Sequence, residues 1–82
     1  MEFTNIVSDP DILNGKPCIK GTRISVQIIL EWIASGASID GIVKKYPHLS
    51  EKAVREAVMY ASRFMNNDIV IEVKTSARLS MT

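Results

Sequence analysis

The chain has 82 residues, which is enough for one small domain. Its formal net charge is +1, so the charge total alone does not indicate a nucleic-acid-binding protein, for which a strongly basic surface is expected. The single cysteine, Cys18, excludes an internal disulfide, and no apolar run approaches the roughly 20 residues of a membrane span, so we expect a cytoplasmic protein without a membrane segment.

The first predicted element is a β-hairpin within residues 1–24. Gly21 accepts positive φ without steric cost, so the sequence CIKGTRI predicts a tight turn between two very short strands, residues 18–19 and 23–24. Residues 3–7 contain apolar side chains that predict another short strand. A hairpin of this size is marginal by itself, so it must pack on a helix or on a second copy of the chain.

Three helices are predicted within residues 25–65. Serine is a favoured N-cap, and Ser25, Ser38 and Ser50 each precede a segment with helical spacing of apolar residues. Gly36 is expected to end the first helix and Pro47 the second. The predicted core-facing residues are Val26, Ile28, Ile29, Leu30, Trp32, Ile33, Ile39, Ile42, Val43, Tyr46, Val54, Ala57, Val58, Ala61, Phe64 and Met65.

These elements predict a mainly α fold, in which a short N-terminal β-hairpin precedes a three-helix, homeodomain-like bundle. Asn66-Asn67 is expected to stop the last helix, and the sequence IVIEV at residues 69–73 has the composition of a short strand. The remainder of the tail is polar. We therefore divide the chain into a domain at residues 1–65 and a C-terminal tail at residues 66–82.

The second and third predicted helices have the layout of a helix-turn-helix. A short helix is followed by the turn Pro47–Leu49 and then by a longer helix, whose N-terminal part would enter the major groove of DNA. Leu49 is expected to fill the angle between the two helices. The candidate DNA contacts are Lys44, Lys45, Ser50, Lys52 and Arg55.

The same pattern also fits a structural bundle without a nucleic-acid role. Glu51 and Glu56 are expected on the same side of the last helix as Lys52 and Arg55, and carboxylates repel phosphate. Lys52 and Glu56 have the spacing of an i,i+4 ion pair, which is common on a solvated helix face. The sequence pattern alone leaves both interpretations open.

The residues give no indication of an enzyme. His48 is the single histidine and lies next to a helix-stopping proline, where a role in the turn is expected. Cys18 is expected to be a small buried apolar residue, and Asp9 a turn cap. We therefore expect no catalytic residue, no metal site, no cofactor and no small-molecule substrate.

Three features of the sequence occur together: GKPCIKGTRI at residues 15–24, the helix stop at Gly36, and YPHLS at residues 46–50 followed by a helix. Through these features, residues 6–64 closely resemble domain-of-unknown-function family 433. Ser25 departs from the proline that the family often has there, and both residues suit the start of a helix.

The resemblance implies an antitoxin of a type II toxin–antitoxin pair, which neutralises a PIN-like nuclease and binds its own promoter. The residues fit such a role, since the hairpin is too small to stand alone and is expected to pair in a homodimer. The predicted dimer interface is Cys18, Ile19, Arg23 and Ile24. The predicted toxin-binding residues of the tail are Ile69, Ile71, Val73 and Arg78, where the strand-like part would add to a sheet edge of the partner.

Two other functions stay open at this point. A stand-alone DNA-binding regulator would show steep salt dependence of its DNA affinity. A structural protein-interaction module would show none, because it would not bind DNA.

Overall fold

Three helices and a two-stranded hairpin form the domain, which confirms the predicted fold class. The computed structural model describes residues 3–65, so the predicted tail, with Ile69, Ile71, Val73 and Arg78, lies outside the described residues. The elements in chain order are strand β1 (Ile6–Val7), a 3-10 turn (Leu13–Gly15), strand β2 (Cys18–Ile19), and helices α1 (Val26–Ala34), α2 (Ile39–Lys45) and α3 (Glu51–Phe64).

The hairpin pairs β1 with β2 in antiparallel register, with Ile6 opposite Ile19. The predicted tight turn is present, with Gly21 at φ +79°. The Ile19 amide donates to the Ile24 carbonyl at 2.9 Å across this turn. The predicted strand at residues 23–24 is wrong, however, because pairing on that side of β2 is reduced to a single bridge between Cys18 and Ser25. The partner strand comes instead from the N-terminal segment.

The three predicted serine caps are all formed. The hydroxyl oxygens of Ser25, Ser38 and Ser50 each accept a hydrogen bond at 3.0 Å from the amide three residues later. The end of α1 also follows the prediction, because Gly36 has φ +108° and donates to the carbonyl of Ile33. This left-handed glycine satisfies a carbonyl of the last turn and redirects the chain toward α2.

Helix α3 is the centre of the core, since it contacts α1, α2 and both strands. The largest fully buried side chains are Ile29, Leu30, Leu49, Val26, Val54 and Cys18. Within residues 3–65, no single helix is long and apolar enough to cross a membrane, and α1 with α2 meets those criteria only as a pair bent by 119°.

The sequence predicts Phe64 in the core, and that prediction is wrong. Phe64 is 64% exposed. It lies on the flank of α3, where two other aromatic rings contact it. Its ring is 4.9 Å from that of Tyr60, and Phe3 meets Phe64 and Tyr60 edge-on at ring-centroid distances of 5.7 and 5.4 Å. These aromatic contacts attach the segment before β1 to the C-terminal half of α3.

Glu56 is buried, although the sequence predicts it on the exposed face of α3. Only 4% of the residue is accessible, and its Oε2 accepts a hydrogen bond from the Asn5 amide at 3.0 Å. The segment leading into β1 therefore covers this side of the helix. The predicted Lys52–Glu56 pair is replaced by a bond that joins residues far apart in the chain.

Substitution of Glu56 should loosen the N-terminal segment. Glu56→Ala leaves the Asn5 amide without its acceptor, and we expect it to lower the free energy of unfolding by about 1–3 kcal/mol. Glu56→Gln keeps a carbonyl oxygen and should cost less. Urea unfolding of both variants measures the difference, with exposed Glu51→Ala as a control on the same helix. An equal destabilisation by alanine and glutamine would contradict the role of this hydrogen bond.

Candidate nucleic-acid interface

The turn between α2 and α3 is held by one buried side chain and a ring stack. Leu49 is 2% exposed, and its amide donates to the Tyr46 carbonyl at 2.9 Å. The Tyr46 ring stacks on Trp32 of α1 at 5.0 Å with an interplanar angle of 9°, and His48 meets its edge at 6.2 Å. The burial of Leu49 agrees with its predicted place in the turn, and the relative position of the two helices is fixed by packing.

Two of the predicted phosphate contacts lie in the last turn of α2. Lys44 and Lys45 are both exposed, and lysines at a helix C-terminus complement the negative end of its dipole. The Nζ atom of Lys45 is 5.7 Å from the centre of the Tyr46 ring. With Trp32 and Tyr46, Lys45 also lines a crevice of about 210 Å³ between α1 and α2.

The other predicted contacts lie in the first two turns of α3. Lys52 and Arg55 are exposed, whereas the Ser50 hydroxyl already accepts the capping bond from Ala53. Arg55 forms an ion pair with Glu51 at 2.8 Å, with the two side chains 65% and 52% exposed. Such an exposed pair contributes little to stability, so Arg55 can exchange Glu51 for a phosphate or a base edge at small cost.

Burial of Glu56 changes the charge balance of this surface. Of the two carboxylates expected beside Lys52 and Arg55, Glu56 is covered by the N-terminal segment and Glu51 is paired. A phosphate that approaches the exposed cations of α2 and α3 therefore meets less negative charge than the sequence suggests. This charge distribution is compatible with a phosphate-binding surface.

Two further residues on the same side of α3 are not among the predicted DNA contacts. Met59 is exposed, and Arg63 is exposed one turn further on. They follow Lys52 by seven and eleven residues, which returns each of them close to the same side of an α-helix. That spacing is readable from the sequence, but the helix-turn-helix layout points only to the first two turns of the helix.

The predicted dimer interface is only partly available. Cys18 is fully buried and Ile19 is 4% exposed, so neither has a side-chain surface to offer a second copy. Arg23 is exposed and Ile24 is half-buried. Pairing of two chains at the hairpin stays a prediction, and it would have to use these last two residues or the backbone.

Cys18 should be unreactive in the folded chain. Burial, and secondarily the negative charge of Asp9, raises the pKa of the Cys18 thiol, so the nucleophilic thiolate is scarce at neutral pH. We expect a thiol reagent to modify native Cys18 about 100-fold or more slowly than the same residue in urea, because reaction requires local opening. Rapid labelling of the native chain would show that the hairpin opens easily.

The described residues define a small three-helix domain with an N-terminal hairpin and a helix-turn-helix layout. A family model described as "Protein of unknown function (DUF433)" matches residues 6–61, and the chain belongs to this family. It is 36% identical over 56 residues to the uncharacterized protein y4eO of Sinorhizobium fredii. That match covers 68% of this chain and 25% of the relative, so the chain spans about a quarter of that protein's length.

The fold also matches a solved structure. The crystal structure of a DUF433 member protein from Anabaena variabilis has a TM-score of 0.72 with this chain and 24% sequence identity. The match covers 85% of this chain and 68% of that one. At this identity the comparison supports the fold and says nothing of a shared ligand.

Proposed function

We propose that the chain is the antitoxin of a type II toxin–antitoxin pair. In this proposal the helix-turn-helix binds DNA, including its own promoter, and residues 66–82 bind and neutralise a PIN-like nuclease. The chain works as a binding protein and has no catalytic role. Two copies act together on DNA, as is usual for helix-turn-helix proteins.

The arrangement of charge on α2 and α3 supports the DNA-binding part of the proposal. Lys44, Lys45, Lys52 and Arg55 are exposed on the two helices of the helix-turn-helix, while Glu56 is turned away into the contact with Asn5. DNA affinity depends mainly on such cations, because each phosphate contact releases a condensed counterion.

The nuclease-binding part rests on the family resemblance and on the composition of the tail. In the sequence IVIEV, Ile69, Ile71 and Val73 would share one face of a strand, and Val70 and Glu72 would lie on the other face. A tail of this kind can bind by adding to an exposed sheet edge.

Affinity purification of the full chain from its native host, with an N-terminal tag, tests the nuclease pairing. We expect a small nuclease in near-equal amount, inactive in the complex and active once separated from the chain. Ile71→Asp should abolish its recovery because it places a charge on the apolar face of the tail, whereas Thr75→Asp should not. Recovery of the chain without a nuclease would contradict the proposed pairing with a toxin.

A stand-alone DNA-binding regulator is the second candidate, and the same exposed cations favour it. It predicts DNA binding of the same strength without any nuclease partner. Recovery of the chain alone, together with salt-dependent binding to its own upstream DNA, would select this function.

A further inference from the structure

Met59 is a large apolar side chain exposed among cations on α3. It is 41% exposed, whereas the core-facing residues on the opposite side of the helix, such as Ala57 and Ala61, are fully buried. In an α-helix, Met59 lies within about 20–40° of Lys52 and Arg55 around the axis, and roughly 6 Å beyond Arg55 along it. It therefore extends the candidate DNA-binding face by one turn.

The face continues beyond Met59 with another cation. Arg63 is exposed one turn later, so Lys52, Arg55, Met59 and Arg63 follow one another over roughly 16 Å of helix. The Met59 backbone is also engaged, because the Ser62 hydroxyl donates to its carbonyl oxygen at 3.1 Å and lies 3.8 Å from its Sδ. The thioether thus lies beside Ser62, in the second half of α3.

This order of side chains suits a DNA groove better than an apolar protein surface. An apolar partner that covered Met59 would also have to desolvate the flanking Arg55–Glu51 ion pair and the Arg63 guanidinium, which lies 6.0 Å from the centre of the Phe3 ring. Removing these charges from water is costly. Duplex DNA offers phosphates to the cations along the groove edges and base edges to the residue between them. In the major groove the one apolar group on those edges is the C5-methyl of thymine.

We propose that Met59 contacts a thymine methyl group in the major groove and so selects thymine at one position of each half-site. The inference rests on the proposed DNA binding, and it adds a specificity-determining residue to that function. Methionine is flexible and polarizable, so it can follow the methyl group without a fixed hydrogen-bond geometry. Arg63, one turn further along α3, then contacts the DNA phosphate backbone next to this base.

The test is a comparison of thymine with deoxyuridine, which differ at the base by the methyl group alone. The full chain is titrated against a duplex of the DNA upstream of its own gene and against the same duplex with deoxyuridine in place of every thymine. We expect the affinity of the unaltered chain to fall by about fourfold for each methyl group that Met59 would cover, as burial of one methyl group predicts. Met59→Ala should bind the two duplexes equally.

Lys52→Ala is the matched control on the same helix. It should weaken binding to both duplexes while keeping their ratio, because it removes a charge and keeps the methyl contact. Thermal unfolding of Met59→Ala should match that of the unaltered chain, since the side chain is exposed.

The outcomes separate this inference from the proposed function. If the unaltered chain binds the thymine and deoxyuridine duplexes equally, the proposed DNA binding is retained and the role of Met59 is overturned. Methyl sensitivity that persists in Met59→Ala also overturns it, because the methyl is then sensed elsewhere or through DNA shape. Failure to bind either duplex at low salt, about 50 mM, overturns both, since phosphate contacts are strong under that condition.

Discussion

Replacing Lys52 and Arg55 together with alanine is expected to weaken binding to duplex DNA by about 10- to 100-fold. Both side chains are exposed at the start of α3, where a helix-turn-helix meets the groove. Removal of two phosphate contacts should also reduce the slope of log affinity against log salt concentration by about two. Fluorescence anisotropy with labelled upstream DNA, at several salt concentrations, measures both quantities.

A control with the same change in charge separates position from net charge. Lys16 and Lys20 are exposed on the hairpin, so the double variant Lys16→Ala/Lys20→Ala removes two positive charges outside the helix-turn-helix. It should change the affinity far less. Glu51→Gln should raise the affinity, because it frees Arg55 from its ion pair. Equal effects of the two double variants would show that binding is nonspecific attraction to the whole chain.

Leu49→Ala is expected to lower the free energy of unfolding by about 2–5 kcal/mol. Leu49 is fully buried in the turn between α2 and α3, and the smaller side chain leaves a cavity where the two helices meet. A domain of this size has only a few kcal/mol of stability, so a large fraction of the variant should be unfolded even without denaturant. Urea unfolding followed by the fluorescence of Trp32 measures the change.

Gln27→Ala serves as the stability control for that experiment. Gln27 is exposed on α1, so its truncation should change the free energy of unfolding by less than about 0.5 kcal/mol. A small effect of Leu49→Ala, similar to that of Gln27→Ala, would mean that the turn collapses around the cavity or that Leu49 does not hold the helices together.

The helices can be predicted because their determinants are local. Each of Ser25, Ser38 and Ser50 caps the helix that follows it, through a bond to an amide three residues away. Gly36 likewise ends α1 through contacts with the preceding turn. Hydrogen bonds of this kind depend on the spacing of a few neighbouring residues, so the sequence pattern is sufficient to predict them.

The wrong predictions all involve contacts between distant parts of the chain. Glu56 has a polar side chain on an amphipathic helix and is expected in solvent, but the Asn5 amide, 51 residues away in sequence, donates to it. Strand β2 is expected to pair with residues that follow it closely, whereas its main partner is β1. Phe64 follows the apolar stripe in sequence and yet lies exposed beside Phe3. Helical periodicity carries no information on the position of the N-terminal segment.

The candidate DNA-binding face is predictable only in part for the same reason. Exposure of Lys44, Lys45, Lys52 and Arg55 follows from helix periodicity. The net charge of that face does not, because it depends on where Glu56 points. The burial of the Cys18 and Ile19 side chains within one chain likewise depends on how the hairpin packs on the helices, which helical periodicity does not predict.

The most direct test of the proposed DNA binding is a salt titration of the full chain with duplex DNA from upstream of its own gene. If Lys44, Lys45, Lys52 and Arg55 each neutralise a phosphate, log affinity should fall against log salt concentration with a slope of about −3 to −4 per chain. An unrelated duplex should bind more weakly at every salt concentration. A slope near zero, or no binding at low salt, would contradict the assignment of this face to DNA.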